Sequence, residues 1–373
     1  MASRPKKKSA APGKEPVASI RKRIDAVDRD LHALINQRAE LARQVGISKH
    51  AQGNLVDFYR PEREAEVLRL ALERNRQGTL RDEEILRLFR EIMSACLAQE
   101  KPLKVAYLGP EGTFSQSAVF KQFGHSVRAL ALASIDEVFQ EVQAGNADFG
   151  VVPVENSSEG TVNNTLDRFL TTSLNICGEV ELRVHHNLLG RMKDLAHVAR
   201  VCAHPQALAQ CRAWLDEHLP DAERVPVSSN AEGARRARDE QGTAAVAGDV
   251  AAEVYGLTIL APRIEDHDDN TTRFLVIGNR SLQPSGADRT SLLVSGDKAK
   301  AGSLFRLLEP LAKYDINMTR IESRPSRRRK WDYVFFIDLE GHADDPHVAK
   351  ALVELKQRSS LLRVLGSYPR AIL

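Results

Sequence analysis

The stretch IRKRIDAVDRDLHALINQRAELARQV, residues 20–45, carries apolar side chains at alternating steps of four and three residues. This spacing places them in one row along an α-helix. The one slot in the row that is not apolar holds Arg38. An unpaired guanidinium is too costly to bury for packing alone, so Arg38 must meet a carboxylate from a partner helix or from a ligand. The helix is therefore a candidate anion site.

Helical periodicity continues outward from this stretch over residues 19–101, and no strand-like alternation interrupts it. We predict a first helix from Ser19 to about Lys49 and a second that starts near Pro61. A third follows Thr79, whose spacing to Asp82 is typical of a capping box. The first helix would be roughly 45 Å long, too long for a small bundle to cover, so we expect two copies to pack together.

The composition restricts the classes of protein to consider. The chain has 373 residues, 42% of them hydrophobic, and a net charge of +3. This predicts two or three soluble domains and argues against nucleic-acid binding over the whole chain. Residues 1–18 have the composition of a disordered basic tail. No signal peptide or membrane helix is evident, so we expect a cytoplasmic protein without membrane contact. The four cysteines have no CxxC spacing, and no disulfide is predicted.

Residues 103–281 alternate short apolar strands with amphipathic helices, which predicts an α/β domain. Polar residues gather where four of the strands begin or end, and there they can face an anion. The four segments are KVAYLGPEGTFSQSA (104–118), FGVVPVENSSEG (149–160), VCAHPQALAQC (201–211) and DNTTRFLVIG (269–278).

Residues 288–373 predict the order strand, helix, strand, strand, helix, strand, which is that of an α+β ferredoxin-like domain. A basic run from Arg327 to Lys330 falls in the predicted hairpin turn, and we interpret it as a solvated loop.

Two clusters suggest a metal, the acidic residues 265–269 around His267 and the pair His185 and His186. Neither spacing matches a standard zinc or calcium motif, so we predict no metal.

The helical block resembles the all-helical chorismate mutase domain through IRKRIDAVDRDL, QRAELARQVGISKH and YRPEREAEVL. The resemblance implies an intertwined dimer in which Arg21 reaches the neighbouring subunit's site. It also implies that Arg38 and Arg63 bind the two carboxylates of chorismate. Lys49 would donate to the ether oxygen, and Glu64 would hold the ring hydroxyl. A Claisen rearrangement needs only such positioning and hydrogen bonding. The alternative is that these charges are ordinary solvated residues of long helices.

Three slots depart from the best-known pattern of that family. Arg60 stands where a hydroxyl-binding Asp can sit, Cys96 where a Ser can sit, and Glu100 where the second ether donor is a glutamine. A carboxylate donates a hydrogen bond only when it is protonated, so Glu100 would need a raised pKa.

The four segments of residues 103–281, in this order, resemble prephenate dehydratases. The resemblance implies two α/β lobes, like periplasmic binding proteins of the second type, with the substrate cleft between them. The first lobe would combine residues 103–180 with the returning segment 264–280. Thr272 would donate to the departing hydroxyl oxygen, Asn156 and Gln210 would orient the substrate, and Arg273 would meet a carboxylate. Further substrate contacts would be Thr113, Glu155 and Ser157. Alternatively, Thr and Asn at strand ends cap turns.

The motifs GSLFRLL and ESRP in residues 288–373 resemble those of ACT regulatory domains, which pair their sheets and bind an amino acid between them. The effector in this family is phenylalanine. One side of its pocket would contain Gly302, Ser303 and Leu304. The other side would contain Glu322, Ser323, Arg324 and Pro325.

The resemblances together imply a bifunctional enzyme that takes chorismate through prephenate to phenylpyruvate without a cofactor, as a homodimer or higher oligomer that phenylalanine inhibits. A dehydratase that uses its helices only for dimerisation is one alternative. A small-molecule sensor without catalytic activity is the other.

Overall fold

The computed structural model describes residues 16–51, 59–99, 101–296, 301–326 and 333–372. Most of the predicted basic tail and the basic turn at Arg327 to Lys330 lie outside these residues. The chain divides into two compact units, residues 1–58 and 59–373. No described helix combines the length and apolar character needed to cross a membrane.

The first unit contains helix α1 (Val17–Ala51), which begins two residues before the predicted start. Its apolar row is open to solvent in the single chain: Ile24 is 52% exposed and Leu34 is 59% exposed. Arg38 within the row is partly buried. The segment thus forms the predicted helix, and the apolar row is an uncovered surface along that helix.

The second unit begins with helices α2 (Pro61–Asn75) and α3 (Asp82–Ala98), which pack through Leu68, Leu86 and Met93. Pro61 occupies the first turn of α2, as predicted. The predicted capping box at Thr79 does not form, because Arg81 takes the N-cap position without a side-chain cap. The side-chain amide of Asn75 instead donates to Asp82 at 2.7 Å and holds the connection between the helices.

The central domain, residues 103–281, has two sheets joined by helices. Its strands are β1 (Lys104–Leu108), β2 (Arg128–Leu132), β3 (Phe149–Asn156), β4 (Gly160–Thr161), β5 (Asn175–Arg183), β6 (Asn187–Gly190), β7 (Arg200–Ala203), β8 (Glu223–Pro226), β9 (Thr243–Ala247), β10 (Thr258–Ala261) and β11 (Thr271–Gly278). Its α-helices are α4 (Phe114–Phe123), α5 (Ile135–Gln143), α6 (Asn163–Phe169), α7 (Pro205–Gln210), α8 (Arg212–His218), α9 (Asn230–Asp239) and α10 (Asp249–Tyr255), with a 3-10 turn at Leu195–His197.

Each sheet of the central domain forms one lobe. The first sheet has the strand order β2-β1-β3-β11-β5, with β4 paired to β3, and the second has the order β10-β6-β9-β7-β8. Strand β11 leaves the second lobe and returns to the first, where it pairs with β3 and β5 in antiparallel orientation. The apolar strands that gave the α/β signal form the two cores, around Phe149 and Tyr107 in the first lobe and Val201 in the second.

The C-terminal domain, residues 288–373, has the predicted ferredoxin-like order. Its elements are β12 (Asp288–Ser295), α11 (Ser303–Lys313), β13 (Met318–Pro325), β14 (Tyr333–Glu340), α12 (Pro346–Arg358) and β15 (Leu361–Pro369). The sheet order is β13-β14-β12-β15. Strand β15 lies directly against β5 of the central domain, and a Cβ atom on Gly366 would come within 2.2 Å of the Ile176 carbonyl oxygen. Only glycine allows this approach.

Candidate active sites

A cavity of about 540 Å³ opens between the two lobes of the central domain. Both sheets contribute residues where their strands end, the usual place for ligands in α/β proteins. Its lining includes residues from all four segments that the sequence singled out, among them Thr113, Asn156, Gln206, Gln210 and Thr272. Of the predicted dehydratase residues, Thr272, Asn156, Gln210 and Thr113 are thus brought together.

Thr272 and Asn156 face each other across the paired strands β11 and β3. The Asn156 amide nitrogen donates to the Thr272 hydroxyl at 2.8 Å and to the Asn270 side-chain oxygen at 2.8 Å. The backbone N–H groups of Ser158 and Glu159 donate to the Asn156 side-chain oxygen at 3.0 and 3.1 Å, which fixes the orientation of the amide. The Thr272 oxygen therefore accepts, and its own hydrogen is free to be donated into the cavity.

The hydrogen-bonded chain continues into the second lobe. Asn270 donates to the Gln210 side-chain oxygen at 3.1 Å, and Nε2 of His186 lies 2.8 Å from the same oxygen. Because an amide oxygen only accepts, Nε2 must carry hydrogen. Burial lowers the pKa of His186, which favours the neutral ring. Its Nδ1 is a buried acceptor without a hydrogen-bond partner among the described residues.

Asn270 was not among the residues predicted from the sequence, and His186 was considered only as half of a metal pair. A signal for Asn270 was present, because residues 270 and 272 share one face of an extended chain. His186 carries no comparable signal, since its position depends on the packing of Phe114 at 5.6 Å against the ring.

Two of the acidic residues near His267, Glu265 and Asp266, serve as hydrogen-bond acceptors. Glu265 lies 2.7 Å from His185 Nδ1 and accepts from the backbone N–H of His186 at 2.8 Å. Asp266 accepts from the first turn of α8 at Ala213, at 3.0 Å. The described residues contain no group of three or more side chains placed to hold a metal ion.

Thr113 lies at the turn between β1 and α4, and its hydroxyl donates to the Leu108 carbonyl at 3.2 Å. Gly112 in this turn has φ +84, and a Cβ there would lie 2.9 Å from the ring of Tyr255. The turn therefore requires glycine, and it brings the start of α4 to the cavity wall.

Three predicted substrate contacts are placed away from the cavity. Arg273 lies on the opposite face of β11, where it pairs with Glu179 at 2.8 Å and with Asp338 of the C-terminal domain at 2.7 Å. Glu155 pairs with Arg320 of the C-terminal domain at 3.0 Å. Ser157 accepts from the Thr271 backbone N–H at 2.9 Å. The geometry gives no support to these three as substrate contacts, because their side chains are engaged elsewhere.

Glu64 is largely enclosed at the junction of α2 and α3 with the central domain, and its side chain is 11% exposed. One of its oxygens lies 3.8 Å from Arg90 Nε, and the side chain bonds to Tyr59, which packs on Phe123 and Phe149. Burial raises the pKa of Glu64 to about 7, while Arg90 and the Tyr59 hydrogen bond oppose the rise. Glu64 lines two small spaces of about 10 and 30 Å³, and neither is large enough to hold a substrate.

The other predicted mutase residues do not gather around Glu64 in the second unit. Arg63 pairs with Glu66 at 2.7 Å, Arg60 pairs with Glu62 at 2.8 Å, and the Cys96 thiol is buried. On α1, Arg21 is exposed and Arg38 is partly buried. The side chain of Lys49 and all of Glu100 lie outside the described residues.

The predicted effector residues divide between two places. Gly302, with φ +70, precedes α11, which begins at Ser303, and Leu304 is 38% exposed. On β13, Glu322 accepts from Thr161 at 2.9 Å, and Arg324 pairs with Asp167 at 2.7 Å, so both face the central domain. Ser323 and Pro325 lie on the exposed face of the strand, as its alternation requires.

Comparison with known proteins identifies the family to which this chain belongs. Residues 20–101 match the model of chorismate mutase type II, residues 105–282 that of prephenate dehydratase, and residues 290–357 that of the ACT domain. A bifunctional chorismate mutase/prephenate dehydratase of Stutzerimonas stutzeri is 54% identical over 95% of this chain and 98% of its own length. The protein of the same description from Pseudomonas aeruginosa is 53% identical over the same shares.

Among solved structures, the prephenate dehydratase of Arthrobacter aurescens in complex with L-Phe superposes with a TM-score of 0.67. It is 36% identical, and the match covers 72% of this chain and 90% of that one. Three domain models in order and relatives aligned over nearly their full length agree with the fold. This chain belongs to the family of bifunctional chorismate mutase/prephenate dehydratases.

Proposed function

We propose that this protein rearranges chorismate to prephenate and then converts prephenate to phenylpyruvate, and that phenylalanine inhibits it. The observation that carries the proposal is the Thr272 hydroxyl, held by Asn156 at the wall of a cavity between two lobes. The volume of about 540 Å³ suits a small organic acid. The assignment of three domains, residues 19–101, 103–281 and 288–373, to mutase, dehydratase and regulation is part of this proposal.

In the dehydratase reaction, prephenate loses carbon dioxide and its ring hydroxyl, and the ring becomes aromatic. The C–C bond to the carboxylate breaks, and its electron pair enters the ring as the C–O bond breaks at the opposite ring carbon. The departing oxygen takes a proton and leaves as water. Thr272 donates a hydrogen bond to that oxygen, and such a donor contributes roughly 10²- to 10³-fold. A threonine hydroxyl is a poor acid, so it serves as a donor or as a relay for the proton.

The remaining dehydratase residues orient the substrate. Asn156 holds the Thr272 oxygen, and Gln210 links this pair, through Asn270, to the second lobe. Thr113 stands at the start of α4, where a helix N-terminus favours a carboxylate. The Thr113 hydroxyl donates to the Leu108 carbonyl, so we keep Thr113 as a proposed carboxylate contact through the backbone N–H groups at the start of α4. We do not keep Arg273, Glu155 or Ser157.

For the mutase reaction we propose that two chains pair through α1. The support is its exposed apolar row, interrupted by the partly buried Arg38. Pairing would bring Arg21 of one chain to the site of the other, which would be completed by Arg38, Lys49, Arg63, Glu64, Cys96 and Glu100. Glu64 must leave its enclosed position beside Arg90 to contact chorismate, because both spaces that it lines are too small.

For the effector we propose that phenylalanine binds at the C-terminal domain. The turn before α11, at Gly302, Ser303 and Leu304, and the exposed face of β13, at Ser323 and Pro325, supply its contacts. The Arthrobacter aurescens relative was solved with L-Phe, which supports this choice of ligand. Glu322 and Arg324 instead join β13 to the central domain. We also propose a cytoplasmic location.

The test is incubation of the purified chain with chorismate at neutral pH, with separate measurement of chorismate, prephenate and phenylpyruvate. The proposal predicts that chorismate disappears, that phenylpyruvate forms, and that added phenylalanine slows its formation. A sensor without catalytic activity would leave chorismate unchanged. A dehydratase that uses its helices only for pairing would consume added prephenate but leave chorismate.

A further inference from the structure

Arg273 occupies a buried ionic cluster that joins the central and C-terminal domains. Its Nη1 donates to Asp338 at 2.7 Å and its Nη2 to the Tyr368 hydroxyl at 3.1 Å. Its Nε donates to Glu179 at 2.9 Å. The Arg273 side chain is 11% exposed, and those of Glu179 and Asp338 are 1% and 7% exposed. One guanidinium thus holds partners on three strands, β5, β14 and β15, of two domains.

The cluster is closed by further partners from the C-terminal domain. Arg289 on β12 also bonds to the Glu179 carboxylate, and the Ala371 backbone N–H donates to its second oxygen at 3.1 Å. Ser291 donates to Asp338 at 2.5 Å and bonds to Tyr368 at 2.7 Å. These charges are paired and hydrogen-bonded on both sides of the junction, which is the condition for keeping ions buried.

Arg273 is the chain neighbour of Thr272 on β11. Successive side chains of a strand point to opposite faces, so Thr272 reaches the cavity while Arg273 reaches the C-terminal sheet. Thr272, the proposed donor to the leaving oxygen, is therefore adjacent in the chain to Arg273, which is bound by the C-terminal domain. The close approach of β15 to β5 at Gly366 leaves little room for the two sheets to shift independently.

Asp338 lies next to the strand that contains the proposed effector contacts. It is on β14, opposite Arg320 of β13 in the antiparallel register, and β13 continues to Ser323 and Pro325. If β13 changes position and β14 moves with it, the Asp338 carboxylate moves too, and so does Arg273, which is paired with it. The route from effector to site is thus a set of paired strands and buried ion pairs.

We infer that Arg273 is a positioning residue, which holds Thr272 in place for dehydration and couples the dehydratase site to the state of the C-terminal sheet. This inference rests on the proposed function of Thr272 and of phenylalanine. It assigns Arg273 to regulation and positioning, whereas the sequence suggested a substrate contact. A guanidinium suits the role because its planar fork holds several acceptors in fixed directions, which an ammonium group does not.

The test compares the full-length chain with Arg273→Lys and Asp338→Asn. Arg273→Lys keeps the positive charge but loses the planar guanidinium group. Asp338→Asn keeps the shape of the side chain but loses its negative charge. Arg363→Gln is the matched control, because Arg363 crosses the same junction by bonding to the Phe169 carbonyl, away from β11. For each chain, kcat and KM for prephenate, the maximal inhibition by phenylalanine, and the Kd of phenylalanine by calorimetry are measured.

The inference predicts that both variants bind phenylalanine within about threefold of the wild type but lose about fivefold or more of its effect on turnover. Arg273→Lys should also lower kcat for prephenate, with KM changed less than kcat, because Thr272 is displaced. Arg363→Gln should keep both the inhibition and kcat. If Arg273→Lys does not fold, Asp338→Asn and Tyr368→Phe decide the question.

Unchanged inhibition and unchanged kcat in the variants would overturn the inference. Equal loss in Arg363→Gln would overturn it as well, since the junction as a whole would then carry the coupling. A wild-type chain that phenylalanine does not inhibit would refute the proposed regulation itself. If phenylalanine inhibits the wild type and the variants equally, only the role of Arg273 is refuted.

Discussion

Asn156 donates a hydrogen bond of 2.8 Å to the hydroxyl of Thr272, across the register of the paired strands β3 and β11. Two backbone N–H groups fix the Asn156 amide, so the direction of this bond is set by the fold. As a consequence the Thr272 hydrogen is directed to another acceptor, and the cavity supplies the space for one.

Replacing Asn156 by aspartate should reverse that bond. An ionised carboxylate accepts the Thr272 hydrogen and takes it away from the leaving oxygen. We expect Asn156→Asp to lower dehydratase kcat by about 10²-fold at neutral pH. This is the usual effect of losing one hydrogen-bond donor that is positioned for the transition state. The rate should partly recover as the pH falls and the carboxyl group is protonated. A variant with wild-type kcat at neutral pH would contradict the assigned direction of the bond.

The buried Glu64 should make stability depend on pH. Burial raises its pKa to about 7 in the folded chain, from an ordinary value of 4.5. The folded state then favours the protonated form, so stability is fully present below about pH 4.5 and is lost as the pH rises through 7. The difference corresponds to roughly 3 kcal/mol at most.

Glu64→Gln removes this ionisation while it keeps the shape of the side chain. We expect the variant to have a higher urea midpoint than the wild type at pH 8, and the same midpoint at pH 4. Glu66→Gln is the control, because Glu66 lies on the same helix and its side chain is about half exposed. A stability difference that is equal at the two pH values would show that Glu64 does not titrate in this range.

Glu100 lies outside the described residues, and its protonation remains a prediction from the sequence. If a neutral carboxyl group donates to the ether oxygen, mutase activity is highest on the acid side. Glu100→Gln should then shift the activity toward higher pH, because an amide donates at any pH. The pH profile of chorismate consumption by the two proteins checks this, and identical profiles would refute it.

The apolar row of α1 predicts the assembly of the protein. Leu34→Lys places a charge in the proposed helix pairing, so the protein should form a smaller assembly than the wild type and lose mutase activity while dehydratase activity remains. Asn36→Lys adds the same charge on another face of α1 and should change neither property. Analytical ultracentrifugation with both assays provides the test. A Leu34→Lys protein that still pairs through α1 and rearranges chorismate would contradict the proposal.

The sequence predicted the architecture well because the patterns that decide it are local. The steps of four and three in residues 20–45 form α1, and the order of elements in residues 288–373 forms a ferredoxin-like sheet. The return of β11 to the first lobe was also predicted, though from the family resemblance. Periodicity alone does not specify which strand pairs with which.

The sequence was less informative about the direction of side chains. Arg273 and Glu155 are the chain neighbours of Thr272 and Asn156, and we expected all four to contact substrate. Strand alternation turns Arg273 and Glu155 to the C-terminal domain, a result that the parity of their positions could have predicted. The burial of Glu64 has no such signal, because it depends on how α2 and α3 pack against the central domain.

The central claim is that one chain performs both reactions and that Thr272 serves the second. The most direct measurement is the fate of chorismate at neutral pH with the wild type and with Thr272→Ala, alongside Thr272→Ser, which keeps the hydroxyl. We predict phenylpyruvate from the wild type, and accumulated prephenate with dehydratase kcat lowered about 10²- to 10³-fold in Thr272→Ala. Thr272→Ser should keep measurable turnover. Phenylpyruvate formed by Thr272→Ala at the wild-type rate, or chorismate left unconsumed by the wild type, would contradict the claim.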